Sequence, residues 1–265
     1  MKKLLIIAVV FLFVLEIVRG QGELDEQQRI FFRNERTFAV FFSTDGWGFS
    51  YRYGKRLNYL NKRIYDFDLG VIKHPKEVRL SNPYYPSSGS FVFGKENCPI
   101  FIRGGIGHQH ELYTKQDLGG ISIRYFVSAG PALALYKPIY YKILVFTSQS
   151  EYMIIEEKFD ITKHDPTMIN GRASVFKGLD ETKVLPGLYA KGGFNFEYSK
   201  EDKVIHAIEI GAQINLFPKE IPIMATETNR AVYFSLFASY RFGLVINPYD
   251  PESSSVSSIF RKKRP

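Results

Sequence analysis

The feature that most constrains this chain is a two-residue alternation that recurs along most of its length. Near the end, Val232, Phe234, Leu236, Ala238, Tyr240 and Phe242 fall on one face of an extended segment. Ser235, Ser239, Arg241 and Gly243 fall on the other. Successive side chains of a strand point to opposite faces, so a period of two marks strands. Seven or eight segments carry it, with aromatic residues on one face and charged residues on the opposite face of several. A soluble β-sandwich buries its apolar face and wets its polar one. A transmembrane β-barrel reverses this, with aromatics outside and polar groups inside.

The first twenty residues tip the choice. Lys2 and Lys3 precede a run of twelve apolar residues, Leu4 to Leu15, and Val18 and Gly20 then stand three and one residues before the bond to Gln21. This is the pattern of a secretory signal peptide cleaved after Gly20. The run is too short to span a bilayer as a helix, and no later stretch approaches the required length. An exported chain that crosses a membrane without helices must do so as a closed barrel, since open strands leave backbone groups unpaired in lipid.

The remaining chain, about 245 residues, suits one barrel. Aromatics make up 15% of the sequence, enough for a lipid face and interfacial girdles. Cys98 is the sole cysteine, so no intrachain disulfide forms. The leader takes three cations and one carboxylate with it, lowering the net charge from +8 to +6. Much of the rest is the run Arg261 to Arg264. Export argues against nucleic acid as its partner; lipopolysaccharide phosphates and anionic lipid fit better.

The alternation divides the chain into a leader (1–20), a periplasmic lead-in (21–36), a barrel (37–247) and a basic periplasmic tail (248–265). Expected strands are Thr37–Ser43, Trp47–Gly54, Lys62–Lys73, Phe91–Gly107, Leu118–Tyr136, Leu185–Ser199, Lys203–Phe217 and a last one closing near Asn247. The fold class is therefore all-β: an antiparallel up-and-down transmembrane barrel of about eight strands. Ten are reached if the long segment 138–184 hides a hairpin. His108–Asp117 reads as a polar turn. Short links fall at the end bearing the termini and long ones at the other, as in bacterial outer-membrane barrels.

The inward faces collect Arg52, Asp66, Asp68, Arg103, Arg124, Lys191, Glu197, Glu209, Gln213 and Arg241. Away from bulk water such groups must pair, so they are expected to form a charge network plugging the barrel. A basic collar of His74, Lys76, Lys95 and Lys137 is expected at the outer rim, at head-group level. No P-loop, dinucleotide fingerprint or zinc signature is present, and no cofactor or metal is expected. His108-Gln109-His110 could supply two metal ligands, but in a turn that spacing fixes no geometry. His74 and His164 lie near Ser81, Ser87, Asp160 and Asp165 in sequence without the spacing of a triad.

The leader followed by Gln21, the Phe/Tyr-rich strands and the eight-strand layout resemble small outer-membrane β-barrel proteins of Bacteroidota, which include the PorT-like barrels. Lys73-His74-Pro75-Lys76-Glu77, Phe93-Gly94-Lys95-Glu96-Asn97 and the segment from Gly130 to Pro138 resemble motifs of an outer-membrane barrel family from that phylum. Phe176-Lys177-Gly178 and the segment from Pro186 to Lys191 do so as well. The resemblance covers nearly the whole exported chain. It implies the fold and a Gram-negative outer-membrane location, and supplies no catalytic residues. Some PorT-like members are linked to protein secretion. The expectation is a non-enzymatic, structural or accessory component of an envelope assembly. Its partner would be recognised through segment 138–184 or tail 248–265. An outer-membrane lipid-modifying hydrolase and a soluble periplasmic β-sandwich binder are the alternatives.

Overall fold

The computed structural model describes residues 34–85, 88–117, 119–146, 152–200, 203–225 and 227–246. The expected leader, most of the lead-in and the basic tail lie outside these residues. The strands are β1 (Asn34–Ser43), β2 (Gly46–Arg56), β3 (Asn61–Ile72), β4 (Arg79–Leu80), β5 (Phe91–Val92), β6 (Asn97–Tyr113), β7 (Ser122–Pro138), β8 (Tyr140–Phe146), β9 (Tyr152–Lys158), β10 (Ile169–Arg172), β11 (Lys183–Glu197), β12 (Val204–Leu216) and β13 (Val232–Ile246). Eight of them close into a barrel in the order β1-β13-β12-β11-β7-β6-β3-β2. Each is antiparallel to its neighbours, and β1 pairs with β13 from Asn34↔Ile246 to Ser43↔Phe237.

The barrel is strongly staggered. From Phe41 the register runs through Gly48 and Gly70 to Phe101 on β6. The other way round, through Ser239, Glu209, Asn195 and Arg124, it arrives at Glu111, ten residues further along that strand. Stagger tilts the strands, and eight tilted strands enclose a space just wide enough for side chains to fill.

Face assignment follows the alternation. Along β3 every second residue is buried, from Lys62 through Ile64, Asp66, Asp68 and Gly70 to Ile72, while Tyr65, Phe67 and Leu69 are exposed. Phe234 is 66% exposed and Phe49 54%, whereas Arg103, Asp68 and Glu209 are 0% exposed. The wall is thus apolar outside and charged inside.

Strand ends depart from the sequence reading where polarity masks alternation. Residues 108–113 are not a turn. They continue β6, with Gln109 and Glu111 inward and His108 and His110 outward, paired with both β3 and β7. β1 begins at Asn34, so Glu35 and Arg36 belong to the wall rather than the lead-in. Segment 138–184 does hold a hairpin, β8–β9, but it adds no strand to the barrel. With β10 it builds a separate three-stranded sheet. Phe91–Val92 leaves the expected fourth strand to pair with β4.

Two facing glycines admit the aromatic layer below the long-loop end. Gly48 and Gly70 are register partners. A Cβ on Gly70 would lie 2.4 Å from the Phe101 ring, and one on Gly48 2.6 Å from that of Phe41. Gly70→Val is expected to cost about 1–3 kcal/mol or more by overpacking. It should sharply reduce the fraction of refolded chain that migrates as a compact band in an unboiled gel.

Candidate functional site

Among the described residues, two ion-pair networks occupy the interior. In the first, Arg52 of β2 makes a fork with Asp66 of β3, Nε to Oδ1 at 2.6 Å and Nη2 to Oδ2 at 3.1 Å. Its third nitrogen, Nη1, reaches Glu209 of β12 at 2.6 Å. Glu209 also accepts from Arg241 Nη2 at 3.1 Å, from Asn195 at 2.9 Å and from Ser239 at 3.2 Å, and Arg241 Nε stands 2.9 Å from its Oε1 as an ion pair. Arg241 is completed by Thr37 at 3.0 Å and Ser50 at 3.2 Å. Asp68 holds Arg103 at 3.2 Å and Lys191 at 3.3 Å. Arg103 further donates to Gln213 and Asn215. Its guanidinium carbon stands 4.1 Å from the Phe101 ring centre and 5.2 Å from that of Tyr189. Buried ions must recover large desolvation costs, and Arg52, with all three guanidinium nitrogens bonded to carboxylates, recovers most.

The second network lies toward the end bearing the termini. Glu35 pairs with Lys62 and with Arg124; Arg124 also binds Glu197 and Glu111. Arg56 reaches Glu111 at 3.7 Å, and Lys115 reaches Glu197 at 2.9 Å. Along β3 and β7, Ile64 and Phe126 stand between the two networks, and Phe237 packs on both.

The ten interior residues singled out from sequence therefore fall into two groups. Arg52, Asp66, Asp68, Arg103, Lys191, Glu209, Gln213 and Arg241 share the first, and Arg124 and Glu197 the second. Glu35, Lys62 and Glu111 were missed. Glu35 sat in the supposed lead-in and Glu111 in the supposed turn. Lys62 shares β3's inward parity with Asp66 and Asp68, and that signal was open to reading.

At the opposite end the interior is closed. Ile221, Ile223 and Met224, from the β12–β13 connection, pack on Phe41, Phe101, Tyr189 and Tyr233. Backbone bonds from Glu96 to Ile223 and from Ala225 to Gly94 fasten this plug to the neighbouring connection. A second apolar core, Phe91, Ile139, Tyr141, Ile143, Phe159 and Ile169, supports the β8–β9–β10 sheet. Burial pushes the Tyr141 phenol up. A cleft of about 330 Å³ runs between sheet and barrel rim, lined by Glu96, Asn97, Tyr136, Lys158, Glu181 and Lys183 among others.

The expected basic collar is not an outward ring. His74, Lys95 and Lys137 are buried, and each is engaged within this capped end. His74 Nε2 lies 3.3 Å from the Thr228 carbonyl oxygen. Lys95 binds Glu77 at 2.6 Å, and Lys137 donates to the Lys177 carbonyl at 2.8 Å. Only Lys76 is solvent-facing, paired with Glu227. Position beside a loop predicted exposure; the folding of the connections over the barrel mouth reversed it. His164 accepts from the Asp160 backbone amide and lies 3.4 Å from Glu157. Neither it nor His74 has a serine hydroxyl as a hydrogen-bond partner among the described residues. Those residues hold no cluster of three or more His, Cys, Asp or Glu placed to bind a metal.

No family model matches this chain, and no curated protein matches it. Among solved structures it is similar to Ail, the attachment invasion locus protein of Yersinia pestis. The two share 9% identity with a TM-score of 0.37, over 81% of this chain and 99% of that one. Neisserial surface protein A gives 12% and 0.35, over 81% and 97%. The N-terminal β-barrel domain of Pseudomonas aeruginosa OprF gives 11% and 0.33, over the same shares. At scores of this size the fold rests on the strand register itself.

Removing one partner of a buried pair strands the other charge. Glu209→Gln leaves Arg52 and Arg241 short of a carboxylate and is expected to destabilise the barrel by about 3–5 kcal/mol. Lys76→Gln, in an exposed pair, should cost under about 1 kcal/mol. Urea titration of both variants in detergent micelles, followed by intrinsic fluorescence, measures the difference.

Proposed function

We propose that this protein is a non-enzymatic barrel of a Gram-negative outer membrane, exported through a signal peptide cleaved after Gly20. It serves as a structural or accessory component of an envelope assembly. The observation that carries this reading is the inverted polarity of the wall. Phe234, Phe49, Val127 and Ile210 each expose half or more of their surface, while seven charged side chains of the first network are almost fully buried. A continuous apolar exterior of this extent is stable only against lipid. The short links at the end bearing the termini support an orientation with that end in the periplasm and the capped end outside.

The filled interior argues against solute passage as the role. The first network, the layer around Ile64 and the plug at Ile223 occupy the axis in turn. Recognition then belongs to the capped end, whose folded β8–β9–β10 sheet presents β9 with every residue but Ile155 exposed. Lipopolysaccharide is the surrounding partner. An envelope protein, met through 138–184 or the tail 248–265, is the specific one. The resemblance of its motifs supports an assembly of Bacteroidota, with secretion or outer-membrane biogenesis as its proposed task.

Fractionation of expressing cells should leave the protein in the outer membrane, migrating faster unboiled than boiled. Recovery in the soluble periplasm would refute the reading. Deleting residues 140–172 should preserve the heat shift and abolish co-purification of the envelope partner; deleting 248–265 tests the tail in the same way.

A further inference from the structure

We propose that His108, His110 and Asn61 form a surface site for a borderline divalent transition metal, with Cu²⁺ held most tightly. It lies on the outer wall near the end bearing the termini, far from the cap. In a turn the two histidines would have no fixed relation. On β6 they are two residues apart on one face, and their imidazoles converge. His108 Nε2 lies 2.9 Å from Asn61 Oδ1, and His110 Nδ1 lies 2.7 Å from the same oxygen. The two nitrogens are therefore less than about 5.6 Å apart, the most that those two distances permit.

A metal about 2.1 Å from each imidazole needs those nitrogens no more than about 4 Å apart. A small rotation of exposed His108 closes that gap. Asn61 is register partner of His110, and its backbone is pinned by the β2–β3 turn. Leu57 N donates to its carbonyl at 2.9 Å, and its own N donates to Asn58 Oδ1 at 2.8 Å. The carboxamide oxygen is thus presented as a third donor. The Tyr125 ring, 5.3 Å from that of His110, fixes one side of the site.

Each imidazole binds while neutral. The proton on its ligating nitrogen moves to the other ring nitrogen, so binding changes neither charge nor oxidation state of the ligands. Two imidazoles and one neutral oxygen suit Cu²⁺, Ni²⁺ and Zn²⁺, and copper leads that order. Calcium and magnesium favour all-oxygen sets and are excluded. Arg63 is register partner of His108, and Lys55 of Arg63. These cations hold the affinity below that of a buried three-histidine site.

The test uses the untagged full chain in detergent, dialysed against copper sulfate and examined by electron paramagnetic resonance. One Cu²⁺ per chain is expected, with hyperfine coupling to two imidazole nitrogens. His108→Gln and His110→Gln should each weaken binding at least about tenfold. His206→Gln, altering an outward histidine on β12, should leave it unchanged. All three point away from the interior, and an unchanged heat shift verifies that each variant barrel is intact. Copper retained at full strength in both β6 variants overturns the proposal. So does no uptake at about 1 mM copper, a concentration that saturates even weak sites. Neither result touches the proposed membrane role.

Discussion

The Glu209 carboxylate receives Arg52 from β2 and Arg241 from β13, while Asp66 on β3 holds the far side of Arg52. One chain of ion pairs therefore joins four strands across the barrel. Charges in such a place are tolerated only when matched and hydrogen-bonded. The match is supplied by strands widely separated in sequence, Arg52 and Glu209 lying 157 residues apart. Filling the inside with ions also settles the outside. With alternate residues turned inward, the remaining half of each strand is free to be Phe, Tyr, Ile and Leu.

The capped end obeys a different rule. There the connections carry ordinary cores, one at the mouth around Ile221 and Ile223, and one under the outer sheet around Tyr141 and Phe159. These follow soluble-protein polarity. One chain thus uses two opposite patterns, and the change occurs between Ile72 and Asn97 and again near Pro138. Two of the cap's lysines are folded into it. Lys95 and Lys137 are tied to Glu77 and to a backbone carbonyl rather than left in solvent.

How much of this was legible in the sequence depends on which pattern a segment follows. For the inner and outer faces of β2, β3, β7, β11, β12 and β13, a strict period of two sufficed. It failed where both faces are polar, as at His108–Tyr113. There inward Gln109 and Glu111 alternate with outward histidines, and no apolar stripe marks the strand. In 138–184 it left a hairpin open without assigning it to a separate sheet, because Tyr140–Phe146 is short and its apolar residues run nearly continuously. Partner choice inside the barrel was not legible at all. Parity says that Arg124 and Glu35 both point inward; only the stagger of the register brings them together.

That stagger bears on how the barrel forms. The β1–β13 seam joins segments some two hundred residues apart, and such long-range closure comes late because its loop entropy is largest. Arg52 on β2 and Glu209 on β12 stand on opposite sides of that seam, and Arg241 on β13 reaches Thr37 on β1 and Ser50 on β2 across it. Until the seam closes, Glu209 lacks Arg52, and Arg241 lacks both hydroxyls. The last strand pairing and these ion and hydrogen-bond contacts are therefore one event. An unclosed intermediate leaves part of its interior charge unmatched, which disfavours its persistence in an apolar surrounding.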